Sequence, residues 1–393
     1  VLKLFLNAML IFGVNKVKIV YIVNVDWFFI SHRLPIALEA INQGHEVFIF
    51  AKDTGKMDYL KSLGMNVYPI GLERGSLNPF SSLNLLFDLK RKLSSIQPDV
   101  VHLVTIKPVL LGGIASILAK VPAIVYAISG LGYIFTNTMT KAKILRIGVI
   151  PLYRLALSAK NKVVIVQNSD DLRILRQYVS IPDSQTVLIP GSGVNLEKFY
   201  VQQIPLENKV VLMACRMLVD KGVYEFYKSA ILLKRKYPHI RFVLVGGVDP
   251  DNPASLSEQQ LNEWTQSGIV EWWGHQSDMA ETLSKATVVV LPSYREGMPK
   301  VLLEAQALGR PVVTTDVPGC REAIEEGVTG FLAEVKDENS LATAIEKLIS
   351  NDSLCEEFSH NARQRAEDKF DIRQVVKTHF EIYESLKRNV GSQ

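Results

Sequence analysis

The sequence predicts an α/β protein built from two doubly wound parallel sheets. The chain has 393 residues, more than one hydrophobic core usually organises, so two domains are expected. Short Val, Ile and Leu runs alternate with amphipathic helical stretches, which is typical of parallel sheets covered on both faces. This alternation begins again after Pro190, which indicates a second sheet.

Five buried strands and three main helices are predicted in the first series. The strands are residues 16–23, 45–51, 99–105, 122–128 and 162–168, and the helices are 34–42, 83–96 and 141–158. The second series has strands at 209–217, 240–247, 268–274, 287–293 and 310–316, and helices at 223–236, 299–308 and 341–349. Helical patterns at 353–368 and 372–388 follow. The sequence therefore predicts two Rossmann-like units of similar size.

These boundaries predict four segments. Residues 1–190 form the first domain, 191–207 an interdomain linker and 208–371 the second domain, while 372–393 form a helix that packs back on the first domain. Residues 1–15 are interpreted as an extension, because the apolar run at 1–14 is too short to span a bilayer and lacks a small-residue cleavage site. A membrane-surface anchor is the alternative for this run.

Charge is distributed unevenly along the chain. The net charge is +4, yet residues 1–185 hold 21 Lys and Arg against 11 Asp and Glu, and no acidic residue occurs between Asp99 and Asp170. Basic residues interleaved with Ile, Leu, Tyr and Phe suit an anionic membrane surface. A solvated basic face is the close alternative, and the sequence contains no nucleic-acid-binding motif. Three widely spaced cysteines indicate a reducing compartment.

The most informative segment is Leu-Pro-Ser-Tyr-Arg-Glu-Gly-Met-Pro-Lys-Val-Leu-Leu-Glu-Ala, residues 291–305. Pro299 lies where a helix would begin, because its fixed φ suits a first turn. Backbone N–H groups at that helix start favour an anion such as a diphosphate. Glu296 and Glu304 could accept hydrogen bonds from ribose and sugar hydroxyls. Taken alone, the two residues are better explained as a cap and a solvated helix residue.

A second segment, Cys-Arg-Met-Leu-Val-Asp-Lys-Gly at 215–222, follows the first strand of the second series. Arg216 lies at the strand end and Lys221 at the following helix start. A guanidinium fork and a compact ammonium together suit a leaving diphosphate. Such a pair is common by itself. The interpretation as a diphosphate site is stronger here because the two glutamates are expected one strand away in the same sheet.

Together these segments resemble glycosyltransferase family 4, whose members are retaining enzymes of the two-domain GT-B fold. Glu296 and Glu304 match the family's Glu-x7-Glu motif, and Pro-Gly-Ser-Gly-Val-Asn from Pro190 resembles its interdomain segment. The resemblance implies two Rossmann-like domains facing across a cleft. It implies donor binding by Arg216, Lys221, Glu296, Gly297, Met298, Pro299 and Glu304. It implies catalytic roles for Arg216, Lys221, Glu296 and His102.

A narrower similarity concerns the substrates. Residues 73–79, 129–135 and 245–255 resemble N-acetylgalactosaminyltransferases that extend undecaprenyl-diphosphate-linked bacillosamine, and related capsule and O-antigen enzymes. This similarity implies a UDP-N-acetylhexosamine donor and a polyprenyl-diphosphate-linked acceptor. It also implies a cytoplasmic enzyme that acts peripherally at the inner face of the cell membrane.

The first domain departs from the family pattern. Residues 24–33 replace a Gly-rich loop, and His102-Leu-Val replaces the family's His-x-His. Asp26, His32, Arg33 and Lys107 are candidates for binding acceptor phosphates or hydroxyls. For His102, a core histidine at a strand end is as good an explanation as a catalytic role.

Several other protein classes are disfavoured. Asp249-Pro-Asp251 spells the Asp-x-Asp of metal-dependent glycosyltransferases, but its proline-rich setting favours a turn, and neither an essential metal nor another cofactor is expected. The sequence has no P-loop, no dinucleotide fingerprint after the first strand and no nucleophile elbow. Two alternatives stay open: a UDP-sugar epimerase of the same fold, and an inactive UDP-sugar-binding partner in a membrane synthesis complex.

Overall fold

The structure is a computed structural model that describes residues 16–72, 79–131 and 140–391. Residues 1–15, and parts of the segments 73–79 and 129–135, lie outside the described residues. The chain divides into two compact units. The first comprises Val1–Val166, Leu172–Leu188 and Val376–Gln393, and the second comprises Gln167–Asp171 and Ile189–Val375.

Within the described residues, the first unit is built on one seven-stranded parallel sheet. Its strands are β1 Lys18–Val25, β2 Glu46–Lys52, β3 Asn66–Pro69, β4 Val100–Val104, β5 Ala123–Ile128, β6 Lys162–Val166 and β7 Thr186–Leu188. The spatial order is β3-β2-β1-β4-β5-β6-β7. The order reverses between β1 and β4, which makes this pair the switch point of a Rossmann-like sheet.

Helices connect the strands of this sheet. They are α1 Asp26–His32, α2 Leu34–Asn42, α3 Met57–Ser62, α4 Pro79–Ile96, α5 Gly113–Leu118, α6 Thr140–Ala156 and α7 Ser169–Val179. The central strands are the most deeply buried: β4 and β5 are buried along their whole length. Leu89 and Leu93 of α4 and Tyr153 of α6 join β1, β4 and β5 in one apolar core, so a single cluster fixes this helical layer on the sheet.

The second unit repeats the pattern with a six-stranded sheet in its described residues. Its strands are β8 Val210–Ala214, β9 Arg241–Val245, β10 Glu271–Trp272, β11 Val288–Leu291, β12 Val312–Thr315 and β13 Gly330–Ala333. Their order is β10-β9-β8-β11-β12-β13, and all neighbouring strands are parallel. Here the switch point lies between β8 and β11, the two strands that precede the informative sequence segments.

Eight helices of the described chain follow β8. They are α8 Val223–Lys236, α9 Glu258–Gln266, α10 Met279–Ser284, α11 Lys300–Ala307, α12 Cys320–Ala323, α13 Glu338–Ile349, α14 Asp352–Lys369 and α15 Ile372–Gly391. From Val376 onward, α15 belongs to the first unit. The segment 191–207, for which the sequence predicts a linker, lies in the second unit, because Val194, Phe199 and Ile204 are buried in its core.

All ten predicted strands are present, most of them one to four residues shorter than predicted. Three short strands are not among the predicted elements: β3, β7 and β13. Seven helices are also not among them: α1, α3, α5, α7, α9, α10 and α12. No helix of the described residues is both long enough and apolar enough to cross a membrane.

Candidate active site

The turn that carries Lys221 is held in place by backbone geometry. A 3-10 turn, Val219–Lys221, follows β8 and leads into α8 through Gly222, whose φ is +77°. A β-carbon at residue 222 would overlap the carbonyl oxygen of Pro292 at the end of β11. Glycine is therefore required here both for the left-handed conformation and for the close approach of the two loops.

The loop after β11 is hydrogen-bonded to this turn. Tyr294 donates its backbone N–H to the carbonyl oxygen of Asp220 at 2.9 Å, and the Ser293 hydroxyl donates to the same oxygen at 3.2 Å. The phenol of Tyr294 also donates to Glu225 in the first turn of α8, at 2.8 Å. Since β8 and β11 are neighbours, their carboxyl ends place both loops at one edge of the sheet.

Lys221 and Glu296 form a close ion pair at this edge. The Nζ atom of Lys221 lies 2.5 Å from Oε1 of Glu296, and the two side chains are 16% and 17% exposed. Burial by itself would lower the pKa of Lys221, but the charge and hydrogen bond of Glu296 outweigh it and raise the pKa above the ordinary lysine value. Lys221 is therefore a firmly protonated cation, as electrostatic stabilisation of a leaving anion requires.

Helix α11 places Glu304 one turn beyond the loop. Pro299 is the residue that precedes the helix, with an extended backbone (φ −74°, ψ 114°), rather than part of its first turn. The Glu304 side chain is 9% exposed, and Nζ of Lys300 lies 3.3 Å from its Oε1. Burial raises the pKa of Glu304 despite the neighbouring Lys300 and Lys198, so this carboxylate is held in an environment that strengthens its hydrogen bonds to any hydroxyl it meets.

Gly297 and Met298 complete the loop. Met298 is buried against Gly191, where a β-carbon would come within 2.9 Å of Cγ of Met298. The carbonyl oxygen of Gly297 accepts a hydrogen bond of 2.8 Å from the side-chain amide of Asn168. Asn168 is fully buried and is also bonded to Asp171. The loop conformation is therefore fixed by contacts outside the loop itself.

Arg216 follows β8 and reaches Asp249. Its Nη1 lies 2.7 Å from Oδ2 of Asp249, with side chains 46% and 25% exposed. Asp249 opens the predicted turn, which is confirmed: the N–H of Asn252 donates to the Asp249 carbonyl oxygen at 2.8 Å. Among the described residues, no group of three or more His, Cys, Asp and Glu side chains is arranged to hold a metal ion.

In the first unit, His102 lies at the third of the five positions of β4 and is fully buried, not at a strand end as predicted. Its Nδ1 lies 2.6 Å from the Tyr383 hydroxyl of α15, which lies 3.1 Å from the Tyr21 hydroxyl of β1. The rings of Tyr21 and His379 both stack on the imidazole, with ring centroids 5.1 and 5.5 Å from its centroid. Burial, with the nearby His379 and Arg33, keeps the pKa of His102 well below its ordinary value.

The predicted acceptor residues take separate positions in this unit. Arg33 is buried between α1 and α2, where its Nη1 donates to the carbonyl oxygen of His32 at 2.8 Å and burial lowers its pKa to about 10. His32 stacks on Phe28 with ring centroids 3.9 Å apart. Lys107 precedes a short π-helical turn, Pro108–Gly112, beyond the end of β4.

Asp26 has a structural role that the sequence did not predict. Both of its carboxylate oxygens accept hydrogen bonds, from the backbone N–H groups of Trp27, Thr54 and Lys56 and from the Thr54 hydroxyl. These bonds hold the loop after β2 against the start of α1. An acceptor contact through this carboxylate would have to displace them.

Two partners in the second unit were also missed by sequence reasoning. The sequence predicts only a turn at Asp249, and it contains no motif that singles out Asn168. Asn168 is 129 positions from Gly297 and Asp249 is 33 positions from Arg216. A single sequence has no periodicity that reports side-chain contacts over such separations. Arg216 and Asp249 meet because each follows one of two adjacent strands, β8 and β9.

In the second unit, Arg216 and Lys221 follow β8, and Glu296 and Glu304 follow the neighbouring strand β11, at the switch point of the sheet. Residues 195–365 match the family model described as glycosyl transferases group 1. Residues 18–168 match the model described as glycosyl transferase 4-like. The first match contains all six strands of the second sheet, and the second match contains β1 to β6 of the first sheet.

Curated relatives agree with these matches. The chain is 32% identical over 371 residues to N,N'-diacetylbacillosaminyl-diphospho-undecaprenol alpha-1,3-N-acetylgalactosaminyltransferase of Campylobacter jejuni, covering 91% of this chain and 96% of that protein. It is 28% identical over 367 residues to the capsular polysaccharide biosynthesis glycosyltransferase CapM of Staphylococcus aureus, covering 86% and 94%. The chain belongs to this family of glycosyltransferases, and the predicted family is confirmed.

The fold is also that of a solved glycosyltransferase structure. Anabaena Alr3699/HepE in complex with UDP and glucose superimposes with a TM-score of 0.76 at 20% identity, covering 94% of this chain and all of that one. The predicted fold class, GT-B with two Rossmann-like parallel sheets, is confirmed.

Proposed function

We propose that this glycosyltransferase moves a sugar from a UDP-sugar to a polyprenyl-diphosphate-linked acceptor, with retention of the anomeric configuration. The observation that carries the proposal is the Lys221–Glu296 pair of 2.5 Å at the switch point of the second sheet. A protonated lysine beside a sheet edge and a helix start is suited to the charge that grows on a departing diphosphate.

Each group of the site takes a distinct role in this proposal. Arg216 and Lys221 neutralise the diphosphate, and the backbone N–H groups at the start of α11 add donors to it. Glu304 accepts hydrogen bonds from the ribose hydroxyls, and Glu296 orients the donor sugar while it holds Lys221. The leaving phosphate takes the proton of the attacking hydroxyl on the same face of the sugar, so the proposal requires no protein nucleophile and no metal.

The substrates are proposed from the relatives. The Campylobacter jejuni relative is named for a diphospho-undecaprenol acceptor and N-acetylgalactosamine transfer, and the Staphylococcus aureus relative for capsular polysaccharide. We expect an N-acetylhexosamine as the donor sugar and a lipid-linked saccharide as the acceptor, in assembly of a cell-surface glycan at the inner face of the membrane.

A lipid-linked acceptor requires contact with a membrane, and α4 offers a suitable surface. Phe80, Leu83 and Phe87 are 79%, 51% and 55% exposed, and their spacing places them on one face of the helix. Lys90 continues this face as an exposed cation one turn later. Exposed aromatic and aliphatic side chains next to cations suit the headgroup region of an anionic bilayer, so we propose peripheral membrane binding through the first unit.

The test is release of UDP from a panel of UDP-sugars, measured with and without lipid extract and with and without EDTA. Release that requires the lipid fraction and survives EDTA is expected, and NMR of the product should give the same anomeric configuration as the donor. Inversion would contradict the retaining mechanism. UDP binding without release would favour the inactive partner, and conversion of the UDP-sugar without lipid would favour the epimerase.

A further inference from the structure

Asp249 lies on a loop that is built around the segment bearing Arg216. The loop, residues 246–256, follows β9, and the segment, residues 215–219, follows the neighbouring strand β8. Three backbone hydrogen bonds join them: Met217 N to Gly247 O at 3.1 Å, Val219 N to Ala254 O at 2.9 Å and Leu256 N to Met217 O at 2.8 Å. The two segments therefore hold each other in a fixed register.

Two further features bring the Asp249 carboxylate to a defined place. Gly246 has φ +137°, and a β-carbon there would overlap the carbonyl oxygen of Cys215, so the close approach of the two segments requires glycine. The backbone N–H of Asp249 donates to the Ser255 hydroxyl at 2.9 Å, across the turn. The position of this carboxylate is thus set by the backbone around it.

The contact with Asp249 uses one corner of the Arg216 guanidinium. Nη1 bonds Oδ2 of Asp249 at 2.7 Å, and a guanidinium has five N–H donors in a planar fork. Within the described part of the chain, no other hydrogen bond of this side chain is found. The Nε–Nη2 edge, which does not contact Asp249, can bind two phosphate oxygens side by side, and holding Nη1 fixes the direction of that edge.

Stability does not account for this arrangement, because half-exposed ion pairs contribute little to the free energy of folding. We propose that Asp249 is a positioning residue, which orients the guanidinium of Arg216 for the diphosphate of the nucleotide sugar. The inference rests on the proposed function, in which Arg216 binds that diphosphate. It also gives a role to the Asp-x-Asp sequence that does not involve a metal.

The test is a double-mutant cycle between Asp249→Ala and Arg216→Ala, with UDP affinity from calorimetry and kcat/KM for the donor as readouts. We expect Asp249→Ala to lower both by about tenfold, and to have no further effect in the Arg216→Ala background, because the two residues act as a unit. Asp249→Glu should restore part of the loss, and the melting temperature should stay within about a degree of wild type, as for an exposed pair.

Asp251→Ala is the matched control, since it removes the same charge from an exposed position of the same loop, and it should leave both readouts unchanged. Additive losses in the cycle, or tighter UDP binding by Asp249→Ala, would overturn the inference: the second result would mean that Asp249 competes with the diphosphate. If Arg216→Ala itself leaves UDP binding unchanged, the proposed function of Arg216 fails instead.

Discussion

Nζ of Lys221 and Oε1 of Glu296 lie 2.5 Å apart, although the residues are 75 positions apart in the sequence. The contact joins the turn after β8 to the loop after β11. It places a cation and a carboxylate of the proposed donor site in one ion pair, so a change to either residue affects the other.

Removal of the ammonium should therefore abolish most turnover. Lys221→Ala is expected to lower kcat by about a hundredfold or more, because a preorganised cation at a developing negative charge has effects of this size. UDP release under saturating donor is the measurement. Lys228→Ala, which removes an exposed lysine of α8, is the control. A folded Lys221→Ala enzyme with near-normal kcat would contradict the proposed role of Lys221 at the diphosphate.

The buried, ionised side chain of Glu304 should lower the free energy of unfolding at neutral pH. Burial raises the pKa of the Glu304 carboxyl in the folded protein. The protonated side chain therefore contributes its full stability below the pKa that Glu304 has in the unfolded chain, and this contribution is lost as the pH rises through its pKa in the folded protein. Glu304→Gln should thus melt at a higher temperature than wild type at pH 7.5, with a smaller difference near pH 4.5. Its UDP affinity should fall.

Melting curves at the two pH values and calorimetry of UDP binding test this pair of effects. Glu357→Gln, at an exposed position of α14, should change neither. A melting temperature that is lower at neutral pH would show that the ion pair with Lys300 outweighs the burial of the carboxylate.

The glycine that follows Lys221 offers a test of backbone geometry. Gly222→Ala should destabilise the second unit and lower turnover, because the new β-carbon meets the Pro292 carbonyl. Gly268 has nearly the same φ, +73°, with open space around it, so Gly268→Ala should cost only the conformational penalty of about 1 kcal/mol. Equal losses in urea unfolding would mean that the close contact of the two loops is unimportant.

Tyr383 is expected to anchor α15 in the first unit. Tyr383→Phe removes the hydroxyl that lies 2.6 Å from His102 and 3.1 Å from Tyr21, and leaving buried polar groups without partners costs about 1–3 kcal/mol. Hydrogen exchange in β1, β4 and α15 should accelerate accordingly. Tyr59→Phe, at an exposed phenol, should leave hydrogen exchange unchanged. Unaltered protection in Tyr383→Phe would mean that the Tyr383 hydroxyl does not anchor α15.

Membrane binding through α4 is testable with vesicles. Replacing Phe80, Leu83 and Phe87 together by Ser should reduce co-sedimentation with anionic phospholipid vesicles at least tenfold, because each buried apolar side chain contributes about 1.5–3 kcal/mol. Leu232→Ser, an exposed leucine of α8 in the second unit, is the control. Unchanged vesicle binding by the triple variant would contradict membrane contact through α4.

The strands that the sequence predicted well are long apolar runs such as β4 and β5, where burial of every side chain leaves a continuous signal. The strands it missed, β3, β7 and β13, have three or four residues and lie at or near the sheet edges, where the pattern is too short to distinguish from a loop. Helix α1 was missed because it follows β1 directly and because residues 24–33 occupy the place of a family loop.

The sequence by itself determined the family and the two sheets, because these depend on motifs of fixed spacing and on local periodicity. Only the tertiary structure decided which charges meet: Lys221 with Glu296, Arg216 with Asp249, and His102 with Tyr383. It also decided that Asp26 holds a loop and that His102 is in the core. The physical reason is that parallel strands adjacent in space are distant in the chain, so the partners of a side chain are set by sheet order and burial.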